Sequence, residues 1–141
     1  RRAFPRKTSP PLQAGEVVGR FEVQQELGRG GFGMVYQARE RELLRAVALK
    51  VVQPGAASVA KAQEAREVEA LARLSQSNQL TVRDVGQGPH GPYLVFELLR
   101  GQTLKQLADA GPLPSAEALR VALEVAGGLA HAHAEGVVHR A

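Results

Sequence analysis

From Phe21 through Val23 to Leu27, apolar residues alternate with polar ones, as a half-buried strand requires. A glycine cluster follows. A second alternating run then sets Met34, Tyr36 and Ala38 against Val35, Gln37 and Arg39. Residues 40–45 are charged and hairpin-like, and residues 46–52 form a short apolar, β-branched stretch interrupted by Lys50 and ended by Pro54 and Gly55. Over residues 57–75, Val68, Leu71 and Leu74 recur at three-residue spacing amid Lys61, Glu64, Arg66, Glu67, Glu69 and Arg73, which predicts an amphipathic helix. Residues 80–85 and 92–96 are two more predicted strands around a turn rich in Gly and Pro. Helices are predicted over about 102–110 and 115–135, the second with Ser115 as N-cap and Gly136 as stop. The order β-β-β-α-β-β predicts an α+β fold: a five-stranded, mostly antiparallel sheet carrying one helix, followed by the start of a helical region. Residues 1–18, with Pro5, Pro10 and Pro11 and no apolar period, read as a linker.

Composition narrows the classes. The hydrophobic fraction of 44% is enough for a core, and 141 residues suggest one domain or part of a larger one. The net charge of +4 is uneven: Arg1, Arg2, Arg6 and Lys7 stand in the first seven residues with no acid among them. Setting those four aside from the 18 basic groups leaves 14, matched by the 14 acids. The charge therefore describes a tail rather than a nucleic-acid-binding surface, which would also want aromatic platforms. Two Tyr, four Phe and no Trp do not supply them. The absence of Cys excludes disulfides and a Cys-based zinc site and fits a reducing, cytoplasmic setting. No apolar run approaches the roughly 18 residues of a membrane span, and the initial Arg fits a segment of something longer.

Gly28-Arg29-Gly30-Gly31-Phe32-Gly33 fits G-x-G-x-x-G. Such backbone can approach a phosphate closely and offer N–H groups without a Cβ in the way; a Gly-rich hairpin turn is the plainer alternative. A dinucleotide fold would need a helix after the last glycine, but residues 34–39 read as a strand. There is also no Gly-Lys-Ser/Thr ending for a P-loop. Val35 extends the motif to G-x-G-x-x-G-x-V, and Val47-Ala48-Leu49-Lys50 follows in the next strand. A Lys on the buried face of an apolar strand is costly unless an anion meets it. Phosphate oxygens or a carboxylate such as Glu67 would serve. With Glu64 and Glu69 nearby, a solvated helix face is the other reading of Glu67.

In these motifs and their order the chain resembles a protein kinase, and closely the bacterial members of the eukaryotic-like Ser/Thr kinase family, over about residues 20–141. The resemblance implies a kinase small lobe over residues 19–99 and the start of the helical large lobe over 100–141. Gly28, Gly30 and Gly33 would form the loop over the ATP phosphates. Leu27 and Val35 would cover the adenine, with Ala48 at its other edge. Lys50 would hold the α- and β-phosphates and pair with Glu67. In Leu94-Val95-Phe96-Glu97-Leu98-Leu99, Phe96 would be the gatekeeper, and the backbone of Glu97 and Leu99 would hydrogen-bond adenine. The implied cofactors are ATP and Mg²⁺, and the implied partner is a protein substrate. His139-Arg140 resembles the opening of the catalytic loop, with a scaffolding role for His139. His90 is expected in a turn, and His131 and His133, two apart on a helix, are structural rather than a metal pair.

The family places Asp where this chain has Ala141, and its metal-holding Asn and Asp are not in this sequence. The chain is accordingly expected not to catalyse transfer at a kinase-like rate and to bind ATP poorly. A pseudokinase-like regulatory or nucleotide-binding module is the alternative, and an unrelated nucleotide-binding domain a third reading. The last helix, with Leu119, Val121, Leu123, Val125 and Leu129, is apolar on more than one side and expects burial, so self-association through it is expected of the chain alone.

Overall fold

The computed structural model describes residues 11–30, 33–52 and 77–138. Among these, β1 (Val17–Val18), β2 (Phe21–Gly30), β3 (Gly33–Glu40), β4 (Arg45–Val52), β5 (Val82–Gly88) and β6 (Gly91–Glu97) form one sheet in the order β1-β2-β3-β4-β6-β5. Every neighbouring pair is antiparallel. The five strands expected from the pattern are all present, and β1 makes a sixth. The helix expected over residues 57–75 lies outside the described residues.

Directly opposed residues of paired strands share a face, so the registers divide the side chains between the two faces. Tyr36 opposes Leu49, which opposes Val95; Ala38 opposes Val47; Met34 opposes Val51, which opposes Tyr93. These residues join Phe21 and Val23 in one contiguous buried core. The Phe21 and Tyr93 rings meet edge-to-face with centroids 6.3 Å apart. Glu40 ends the core row of β3 and is buried, a costly place for a carboxylate unless it is paired. Arg20 Nε meets it at 2.8 Å and Arg45 Nη2 at 2.9 Å.

Residues 11–18, expected to precede the folded part, instead pack on it. Leu12 is buried in the core, and its N–H donates to the Tyr36 hydroxyl at 3.0 Å. Gly15 N–H donates to the Val23 carbonyl and Val23 N–H to the Glu16 carbonyl, each at 2.8 Å. A two-residue strand has no period to detect, which is why the sequence pattern does not show it.

Of the two described helices, α1 (Leu104–Asp109) is opened by a capping box: the Thr103 hydroxyl accepts from Gln106 N–H at 3.1 Å, and the Gln106 side chain accepts from Thr103 N–H at 2.8 Å. α2 (Ser115–Ala134) differs from expectation at its start. Ser115 is its first helical residue, and Pro114 is the N-cap, with no side-chain cap bond. The proline favours a helix start through its fixed φ, and its carbonyl accepts from Ala118 N–H at 2.9 Å. The stop at Gly136 is as expected: φ is +79°, Gly136 N–H donates to His133 and Val137 N–H to Ala132. That pair of bonds is the Schellman arrangement. Gln79 Nε2 ties α2 to the segment before β5 by donating to the Gly128 carbonyl at 2.7 Å. Only Gly128 and Ala132 of α2 are buried, while Leu119 and Leu123 stay 62% and 65% exposed.

Candidate nucleotide-binding site

The face of the sheet opposite the core carries the other half of the alternation. Register aligns Gly28, Val35, Lys50, Leu94 and Val85 in one row across β2, β3, β4, β6 and β5. Gln25, Gln37, Ala48, Phe96 and Val82 form the adjacent row. Ala48 and Leu94 are buried; Val35, Gln37, Lys50 and Phe96 are half-buried. This face is apolar and only partly covered, with one cation at its centre.

Sequence reasoning places Lys50 on a buried strand face. It is half-buried, between Val35 and Leu94, so the cost of keeping its charge is smaller than full burial would impose. Glu67, its expected partner, lies outside the described residues, as do Gly31, Phe32, His139, Arg140 and Ala141.

The glycines of the motif separate by physical role. Gly30 and Gly33 face each other at the end of the β2–β3 hairpin. Gly33 has φ +141°, and a Cβ there would stand 2.1 Å from the Val51 carbonyl oxygen, so β4 itself demands glycine. Among the described residues, a Cβ at Gly28 would meet nothing within 4 Å. Packing against the described residues therefore does not require glycine at position 28. What its missing side chain provides is open space beside Val35, in the row of Lys50. Glycine inside a strand weakens it and often marks a bulge, which Gly28 closes here, or a place where a ligand or another backbone comes close.

Two bulges, between Val23 and Gln25 and between Glu26 and Gly28, bring β2 to this geometry. Leu27 sits in the second and is half exposed. Gln25 Nε2 donates to Gln37 Oε1 at 2.9 Å, and Gln37 Nε2 donates to Gln24 Oε1 at 3.0 Å. Glu26 and Arg29 belong to the opposite face, where their partners are Tyr36 and Met34. Arg29 Nε and Nη2 reach the two Glu26 oxygens at 2.6 and 3.2 Å. That hydrogen-bonded guanidinium holds the Glu26 carboxyl below its ordinary pKa, and the Glu26 carboxylate in turn raises that of Arg29.

β6 ends at Glu97, whose N–H donates to the Thr81 carbonyl at 3.3 Å. Leu98, Leu99 and Arg100 continue without regular structure, and Leu99 is 67% exposed. Leu94, in the row of Lys50, and Gln37, beside Ala48, were not singled out from sequence. Counting by twos from Phe96 and from Val35 would have found both. Among the described residues no group of His, Cys, Asp and Glu is placed to hold a metal ion, and no helix is long and apolar enough to cross a membrane.

The family model described as protein kinase domain matches residues 21–141. The serine/threonine-protein kinase PknL of Mycobacterium tuberculosis is 37% identical over 136 residues, covering 94% of this chain and 34% of PknL. The serine/threonine-protein kinase PknD of the same organism is 33% identical over 131 residues, covering 91% of this chain and 20% of PknD. Among solved structures, the M. tuberculosis PknI kinase domain superposes with a TM-score of 0.78 at 30% identity, over 92% of this chain and 54% of that one. The chain thus spans about a third or less of these full-length relatives and about half of the solved kinase domain.

Proposed function

Because the chain belongs to the protein kinase domain family, we propose that it is the ATP-binding portion of a protein serine/threonine kinase, one that moves the γ-phosphoryl group of ATP to Ser and Thr hydroxyls of a protein substrate. The observation that carries this reading is the open space at Gly28 in the row of Val35 and Lys50. An apolar, partly covered face beside a cation and bare backbone suits a flat base attached to phosphates.

In this reading Leu27, Val35 and Ala48 hold the base, with Phe96 beside Ala48 limiting its depth. The Glu97 N–H is committed to Thr81, so Glu97 meets the base with its carbonyl, and Leu99, beyond the strand, contributes backbone groups. Gly28, Gly30 and Gly33 let the hairpin lie close over the phosphates. Lys50 neutralises and orients the α- and β-phosphates, and Glu67 steadies Lys50. Positioning and charge neutralisation are what phosphoryl transfer asks of a protein. The described residues do not fit a magnesium site. Ala141 stands where the family carries its proton-accepting Asp, so a radiolabelled-phosphate assay of this chain should show no turnover at a kinase-like rate. The ATP ligand and the lack of Cys support a cytoplasmic location. Leu119 and Leu123, one helical turn apart and exposed, support self-association of the chain. Sedimentation should show oligomers, and a clean monomer would count against that.

The binding test is titration of a fluorescent ATP analogue into the chain and its Lys50→Met variant. Affinity should fall by about tenfold or more, equivalent to about 1.4 kcal/mol, with the melting temperature nearly unchanged. Equal affinities would overturn the reading.

A further inference from the structure

β2 reaches the nucleotide face through its two bulges, and between them only the pairs Gln25–Gln37 and Glu26–Tyr36 hold it to β3. Moving a bulge by one residue exchanges the faces of the side chains between the old and new positions. Such a shift would carry Leu27 or Gly28 away from Val35.

Gln37 stands against that shift. Its carbonyl oxygen accepts from Gln25 at 2.9 Å while its amide nitrogen donates to Gln24 at 3.0 Å. One side chain thus grips both residues at the first bulge, Gln24, which lies between the paired Val23 and Gln25, and Gln25 itself. Across β4, Gln37 opposes Ala48, so the grip lies in the row assigned to the base. Both ends of the amide are engaged by β2, which argues for holding the strand rather than touching the nucleotide.

We propose that Gln37 is a positioning residue for the nucleotide: its amide fixes the register of β2 between the bulges and so keeps Leu27 and Gly28 over Val35. This rests on the nucleotide-binding reading above. It reaches the nucleotide through β2 alone, which makes affinity and strand exchange move together.

The test uses the full 141-residue chain with Gln37→Leu, which removes both hydrogen bonds at similar size, and Gln37→Glu, which keeps the acceptor for Gln25 Nε2 and regains the second bond when the Gln24 amide rotates to present its Nε2. Amide hydrogen exchange is followed in β2 to β4, and a fluorescent ATP analogue reports binding. Gln37→Leu should weaken binding by about fivefold, equivalent to about 1 kcal/mol, and speed exchange at Gln25, Glu26 and Tyr36 while β4 stays unchanged. Gln37→Glu should remain within about twofold of the parent, a change of about 0.4 kcal/mol. Parent-like exchange in β2 for Gln37→Leu would overturn the inference, and so would faster exchange with unchanged affinity. A parent chain that binds no nucleotide would instead bring down the functional reading, and this inference with it.

Discussion

The two faces of the sheet are built from the same strands and differ in what fills them. On one, Phe21, Val23, Tyr36, Val47, Leu49 and Val95 are buried against one another and against Leu12 and Tyr93. On the other, Ala48 and Leu94 are covered while Val35, Lys50 and Phe96 stay half-exposed, next to Gly28, where a Cβ would meet none of the described residues within 4 Å. Alternation is equally regular on both faces, so the contrast does not lie in strand propensity. It lies in which apolar row the chain can close by itself. A closed face holds the fold together; a partly open one with a cation in it is suited to an anionic guest.

Variants can break the contrast, starting with the closed face. Leu49→Ala removes a fully buried side chain and should cost about 2–5 kcal/mol of stability, read by denaturant unfolding. A cost below about 1 kcal/mol would mean that the core is not where the registers place it.

The glycines sharpen the contrast within a single motif. Gly33→Ala pushes a Cβ against the Val51 carbonyl at a positive φ and should destabilise the fold by about 1–3 kcal/mol. Gly28→Ala meets no atom of the described residues within 4 Å and should leave stability within about 0.5 kcal/mol, while weakening binding of an ATP analogue. Equal stability losses at the two positions would erase the distinction between a glycine required by backbone and one leaving room for a ligand.

The smallest effect is expected on the exposed outer side of the β2–β3 hairpin. The Glu26 pKa is lowered by the Arg29 hydrogen bond, so the pair's contribution is present above the ordinary carboxylate pKa and is lost as pH falls through the lowered one. Because the pair is solvent-exposed, Glu26→Gln should shift the melting temperature at neutral pH by under about 2 °C. The gap to the parent should close in acid. A gap that widens in acid would contradict the assigned pairing.

Much of this arrangement was legible in the chain. The alternation through Met34–Arg39 set Val35 apart from Met34 and Tyr36, the run ending at Val52 set Ala48 and Lys50 on one face, and the kinase resemblance implied that the three come together, as the register does. Gly136 marked the end of α2. The parts that escaped have physical reasons. β1 is too short to show a period, and Leu12 is an isolated leucine in a proline-bearing stretch that packs on residues distant in sequence and donates its N–H to the Tyr36 hydroxyl. The bulges at Gln24 and Leu27 interrupt the period they sit in. Pro114 took the cap assigned to Ser115 because the backbone turned into the helix one residue earlier. Gly28 and Gly33 are the same letter in one motif, and the β4 carbonyl and the positive φ at Gly33 separate their roles.

In the proposed complex the nucleotide occupies the Val35–Ala48–Lys50 face. The most direct measurement is a methyl-labelled NMR titration of the chain with ATP. The methyls of Val35, Ala48 and Leu94 should shift progressively, while those of Val23, Leu49 and Val95, on the other face, stay in place. Shifts confined to the second set, or no shifts at saturating ATP, would contradict the account.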